Sequence, residues 1–336
     1  MAKEENKKVG LLKYLTFAPE SRTDGAVSEP IQTGRFRYFG YVFKRRNGLL
    51  MFANIAFVVT LLPLLAVFIV MAVFGAEKLS YMLGSITTPP YFMSGIGFGL
   101  SSTASVLQAK LDMLNIYSLM FLASGVAMLF VSIGLAGIMP VAMKFIWNDS
   151  FVCKKDNYGN QVPRVMVEFF KGIKKYWWQM LIMGALMGIF LAGAGNAYVY
   201  FLGRLWQGLA GAGEWILIIF VSIATLLFLM FTVYMLPMIV SYDIPFMQKV
   251  KNSLLLMLQM FLQTLFVVAF LAAPFVIVAL TDGFINVILV ALLIVYGGVV
   301  YSLILSNLLQ YYSEKIIVPV YQARFSKARP KSKKKK

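Results

Sequence analysis

The chain of 336 residues has no histidine and one cysteine, Cys153. Without imidazole it lacks the commonest general base, proton relay and metal ligand at once. A lone thiol allows no internal disulfide and makes a poor zinc or haem site. The acids close to the ends of the apolar runs, Asp149, Asp156, Glu168 and Asp243, are few, and no two stand at a recognisable acid–base spacing. Gly95, Gly97 and Gly99 spell GxGxG, but no strand precedes them and no GK[ST] follows, so they do not make a nucleotide loop. What remains is hydrogen-bonding chemistry. Asn54, Asn196, Gln259, Gln263, Asn286 and Asn307 lie inside apolar runs. Such amides either line a path for a neutral solute such as a sugar or bridge helices at about 1 kcal/mol each. No ionisable residue sits in the middle of any run, which counts against ion-coupled transport and intramembrane hydrolysis. Neither enzymatic activity nor a cofactor is expected.

The elements that position these residues belong in lipid. Apolar residues make up 60% of the chain and charged residues 13%, with a mean hydropathy of +0.77; a soluble domain averages about 25% charged. Cutting at charged residues leaves uncharged intervals 47–76, 113–143, 176–203, 215–242, 252–281 and 283–313. A spanning helix needs about 20 apolar residues, and its backbone must bond internally. An all-α polytopic transmembrane helical bundle is therefore predicted, with six spanning helices at 49–74, 116–140, 179–202, 215–240, 254–280 and 284–308. They form a domain over 49–312, between a basic segment 1–48 and a polybasic tail 313–336. The first apolar run begins only at Leu49 and is long enough to span, so it reads as an uncleaved anchor. The interval 79–109, with Thr87-Thr88-Pro89-Pro90 and its glycines, is assigned to an extracytoplasmic loop 75–115 rather than to a re-entrant or seventh spanning segment. Pro63, Pro140, Pro237 and Pro274 are expected to kink or end their spans. Gly184 and Gly188 form GxxxG, with Ala192 extending a small face for close helix packing.

Lysine and arginine set the orientation. Of 31, ten precede residue 49, seven lie in 144–178, two in 241–253 and nine beyond 308, which puts 28 on alternate connections. Both termini and the 144–178 connection are thus expected in the cytoplasm of a multi-pass plasma-membrane protein. The basic excess is assigned to the membrane surface, with no nucleic-acid partner. Lys327–Lys336 could hold anionic lipid at about 1 kcal/mol per residue.

The 144–178 connection is basic and aromatic. Val162-Pro163 is expected to open a short interfacial helix with Val165, Phe169, Ile173 and Trp177 on one face and Glu168, Lys171 and Lys175 elsewhere. Ending in Tyr176-Trp177-Trp178, it would lie flat on the interface and feed the third span. A topogenic anchor accounts for this. The sharper alternative is a docking surface made of Trp147, Phe169, Lys171, Lys174, Lys175, Trp177 and Trp178, joined by Lys249 and Lys251 of the next cytoplasmic turn. Met139-Pro140 and Leu236-Pro237 introduce the two connections in similar fashion, which either an internal repeat or chance explains.

Three stretches resemble the YesL-like family of bacterial membrane proteins, found mainly in Firmicutes. These are Asn54-Ile-Ala-Phe-Val-Val-Thr-Leu-Leu-Pro63; Gly137-Ile-Met-Pro-Val-Ala-Met-Lys144 with Val167-Glu-Phe-Phe-Lys-Gly-Ile-Lys-Lys-Tyr-Trp-Trp-Gln179; and Tyr234-Met-Leu-Pro-Met-Ile-Val-Ser-Tyr-Asp243 continuing to Val250-Lys-Asn-Ser-Leu254. The likeness covers most of 48–312 and departs from the family at 64–115 and at both tails. It implies a multi-helix membrane protein without assigned catalytic residues, working beside carbohydrate uptake, with a sugar importer as partner. Two functions follow as expectations: an accessory or scaffolding component of such a system, or a permease subunit for a neutral solute such as an oligosaccharide.

Overall fold

A computed structural model describes residues 40, 48–70, 103–147, 153–155, 161–280 and 284–312. Most of the N-terminal segment, most of the 75–115 connection and the tail lie outside the described residues. The helices are α1 (Gly48–Val70), α2 (Thr103–Trp147), α3 (Val165–Trp206), α4 (Ala212–Ser241), α5 (Phe246–Gln259), α6 (Phe261–Leu280), α7 (Phe284–Leu292) and α8 (Gly298–Tyr312). A π turn, Leu293–Gly297, joins α7 to α8. Strands β1 (Cys153–Lys155) and β2 (Gln161–Pro163) pair antiparallel, with Cys153 opposite Pro163. This small ribbon sits within the 144–178 connection. Among the described residues, six helices are long and apolar enough to cross a membrane, and the protein is an all-α polytopic bundle.

Several boundaries differ from expectation. α2 starts at Thr103, inside the stretch assigned to the 75–115 loop. No separate interfacial helix opens at Pro163. α3 runs unbroken for 42 residues from Val165, because nothing between that residue and the lipid-buried run interrupts intrahelical bonding. The short amphipathic helix is α5 instead. Its Lys249, Asn252, Ser253, Leu256 and Met257 fall at i, i+3, i+4, i+7 and i+8 and are all buried. The fifth span consequently begins at Phe261 rather than 254. At Met260 the backbone turns to φ −108°, ψ 32°, while its N–H still bonds Leu256 O at 2.9 Å. Pro140 and Pro237 do not end their helices, since α2 continues to Trp147 and α4 to Ser241. Pro63 and Pro274 are likewise internal to α1 and α6.

The chain divides into two compact units. Of the described residues, one unit holds those within 48–59, 133–180 and 228–312, the other those within 60–132 and 181–227. Small residues organise the second. A Cβ at Gly188 would lie 2.2 Å from Gly125 O, and one at Gly184 2.4 Å from Ser132 Cβ, so the α3 backbone rests directly on α2. The expected GxxxG face is therefore real, and Gly125 is its partner. Asn196 bridges the same helices, accepting from Ser118 Oγ and donating to Ala192 O at 2.8 Å. α3 ends in a Schellman turn. Leu209 N bonds Arg204 O at 2.9 Å and Gly208 N bonds Leu205 O at 3.1 Å, with Gly208 at φ 70°, a conformation glycine adopts without penalty. Glu214 then reaches back to Gly211 N at 2.9 Å, capping α4 as an N3 carboxylate does.

In the first unit, α1 is tied to the last span through Asn54. Its Nδ2 donates to Ile294 O (2.9 Å) and Val295 O (2.6 Å), and its Oδ1 accepts from Val299 N (3.1 Å). A π turn widens the helix and leaves backbone groups without their usual partners, and one amide satisfies three of them. Asn54 bridges helices, one of the two roles open to it.

Candidate functional site

The site is built where the ends of α2 and α4 meet the starts of α3 and α5, within the first unit. Pro140 has no N–H, so it frees the carbonyl of Ala136 four residues earlier. Gly172 lies over that gap: a Cβ there would stand 2.7 Å from Ala136 O and 2.8 Å from Pro140 Cγ. One turn before it, the Phe169 ring lies against Gly137, where a Cβ would come within 2.6 Å of the ring. These two contacts fix the rotation of α3 about its own axis.

An ion cluster locks the same corner. Glu168 is buried and accepts from Lys144 Nζ at 2.7 Å, while Lys171 Nζ lies 3.6 Å from its other oxygen. The carboxylate stands in the first turn of α3, where the helix dipole favours negative charge. Further along, Tyr176 OH donates to Val240 O at 3.2 Å near the end of α4. Tyr176→Phe is expected to cost about 1 kcal/mol, the net worth of one buried hydrogen bond, read as a lower midpoint of unfolding in mixed micelles. Lys249 is 2% exposed, and its Nζ donates at 2.8 Å to both Gln179 Oε1 and Ile239 O. Ser241 Oγ reaches Pro237 O at 2.8 Å and Met143 Sδ at 3.1 Å, joining the ends of α4 and α2.

The buried face of α3 is thus Val165, Glu168, Phe169, Gly172 and Tyr176. Two proposed docking residues are corrected. Phe169 is 2% exposed and packs between helices, and Lys249 is a buried clamp on the end of α4. Trp177 does not share a face with Val165 and Phe169. It points outward with Trp178, the two rings meeting edge to face at 5.9 Å. Lys171, Lys174 and Lys175 are exposed beside them, and Lys175 Nζ sits 5.1 Å from the Tyr176 ring centroid. Lys251 is exposed on α5, and Trp147 ends α2. No spacing in the sequence marks Glu168, Lys144 and Gln179 for this corner. The signal for Lys249 was present, since Leu256 and Met257 at i+7 and i+8 place it on the apolar stripe of α5.

Among the described residues, no three His, Cys, Asp or Glu side chains gather as a metal centre. Comparison with protein-family models, with curated proteins and with solved structures returns no match. The likeness to the YesL-like family rests on the quoted stretches alone.

Proposed function

We propose that the protein is a non-enzymatic, multi-pass component of a bacterial plasma membrane, an accessory or scaffolding partner of a carbohydrate uptake system. The observation that carries this reading is the outward surface of α3. Lys171, Lys174, Lys175, Trp177 and Trp178 stand exposed on a helix whose opposite face is locked by Phe169, Gly172 and the Glu168–Lys144 pair. A surface held this rigidly loses little side-chain and backbone freedom when a partner binds. Its cytoplasmic placement follows from the 28 basic residues on alternate connections. The sugar context follows from the family resemblance. Anionic headgroups compete for the same lysines.

The test is affinity purification from solubilised membranes, comparing the parent chain with one carrying Lys171→Gln, Lys174→Gln, Lys175→Gln, Trp177→Ala and Trp178→Ala. Loss of a co-purifying membrane or cytoplasmic protein at equal expression is expected. An unchanged set of partners would overturn the docking role. A second reading, a permease subunit for a neutral solute, draws on the buried Ser302 and Ser306 hydroxyls and the Gln259 and Asn307 amide oxygens. Reconstituted liposomes that pass no oligosaccharide, with or without a candidate ATPase, would exclude it.

A further inference from the structure

Two features of the last span bear on one another. The first is the π turn Leu293–Gly297, closed off by Asn54 as described. Its exit is tight: a Cβ at Gly298 would stand 2.2 Å from Phe57 Cδ1 and 2.8 Å from Asn54 Oδ1. The second lies on the helix beyond it. Ser302 and Ser306, one turn apart on the same face of α8, are each 1% exposed, and neither hydroxyl has a hydrogen-bond partner among the described residues. Buried polar atoms left in that condition call for a partner or for a second setting in which they have one.

A π turn holds one more residue than an α turn. Closing it to α carries every residue beyond it forward by about 100°, one residue's angular step. The places now held by Ser302 and Ser306 would pass to Tyr301 and Leu305; Ser302 would take the equally buried place of Leu303, while Ser306 would leave the interior. Ser306 would move to the half-exposed place of Asn307, and Leu308 from a half-exposed place to the buried place of Leu309.

We propose that the π turn is a register switch, with Asn54 as the latch that holds α8 in the setting seen here. Tyr301 OH, donating to Leu271 O of α6 at 2.7 Å, is a second tie in this setting. The device changes which face of the last span the bundle encloses, without unfolding the helix.

The experiment uses the full chain in lipid nanodiscs with Cys153→Ser and one spin label, at Ser306→Cys or Leu308→Cys. Oxygen accessibility is measured with Asn54 present and with Asn54→Leu. The expected result is reciprocal: accessibility at 306 rises at least twofold and at 308 falls by a similar factor. Accessibility rising at both sites would mean local unfolding, and no change at either would mean a single setting; each overturns the switch. Deleting Val295 provides an independent arm. Removing one residue from the π turn leaves α8 facing as it does now with no bulge to close, so Asn54→Leu in that background should move neither label. A reciprocal change that survives the deletion would also overturn the proposal.

Discussion

Replacing Lys249 by alanine is expected to lower stability by about 3 kcal/mol, the range for losing charge-assisted buried hydrogen bonds together with a buried side-chain stem. The ammonium donates to Gln179 Oε1 and Ile239 O, both at 2.8 Å. Ile239 lies in the last turn of α4, where carbonyls have no intrahelical partner. A cation there also meets the negative end of the helix dipole. Taking it away strands the buried Ile239 carbonyl, removes the donor of the part-buried Gln179 amide oxygen and opens a cavity. Lys251→Ala, two residues on and exposed, should stay within about 0.5 kcal/mol. Lys249→Met keeps the stem and loses the charge, so it should recover about half of the loss. Urea titration in mixed micelles measures all three, and equal midpoints for Lys249→Ala and Lys251→Ala would refute the clamp.

Gly188→Leu should be at least as damaging, at about 3 kcal/mol or more, because overpacking here forces backbone from backbone. The nearest atom to an added Cβ is Gly125 O at 2.2 Å, and a carbonyl cannot swing aside as the tip of a side chain can. α2 and α3 would have to separate along the Gly184–Ala192 face, giving up close van der Waals packing, the main attraction between helices in lipid. Gly193→Ala, five residues on, meets nothing within 4 Å and should stabilise the helix by roughly 0.5–1 kcal/mol. Opposite signs for two neighbouring glycines, measured in the same assay, would be hard to obtain unless α3 packs as described.

The spans were legible because their signal is local: some twenty residues without charge leave the backbone one way to bond in lipid. The GxxxG face was legible for the same reason, though its partner Gly125 was not, since a single glycine in an apolar helix carries no pattern. The facing of α3 could not be read from periodicity. Val165 and Phe169 suit a stripe ending at Ile173 and Trp177, and equally one running through Gly172 to Tyr176. What decides between them lies more than twenty residues away, in the carbonyl that Pro140 frees and the ammonium of Lys144. The break at Met260 was not legible because residues 252–281 carry no charge, although the amphipathic spacing of α5 turns Leu256 and Met257 toward the core beside Lys249. Asn54 was visible as an amide among apolar residues. Its task was not, because the widened turn it seals is a product of packing.

The unbroken course of α3 has a geometric consequence. At 42 residues and 1.5 Å each it is a rod of about 63 Å, roughly twice the hydrocarbon thickness. Some twenty of its residues are therefore more than the hydrocarbon layer can hold, and Glu168, Lys171, Lys174 and Lys175 mark the first turns, up to the tryptophan pair, as the part that must stand outside it.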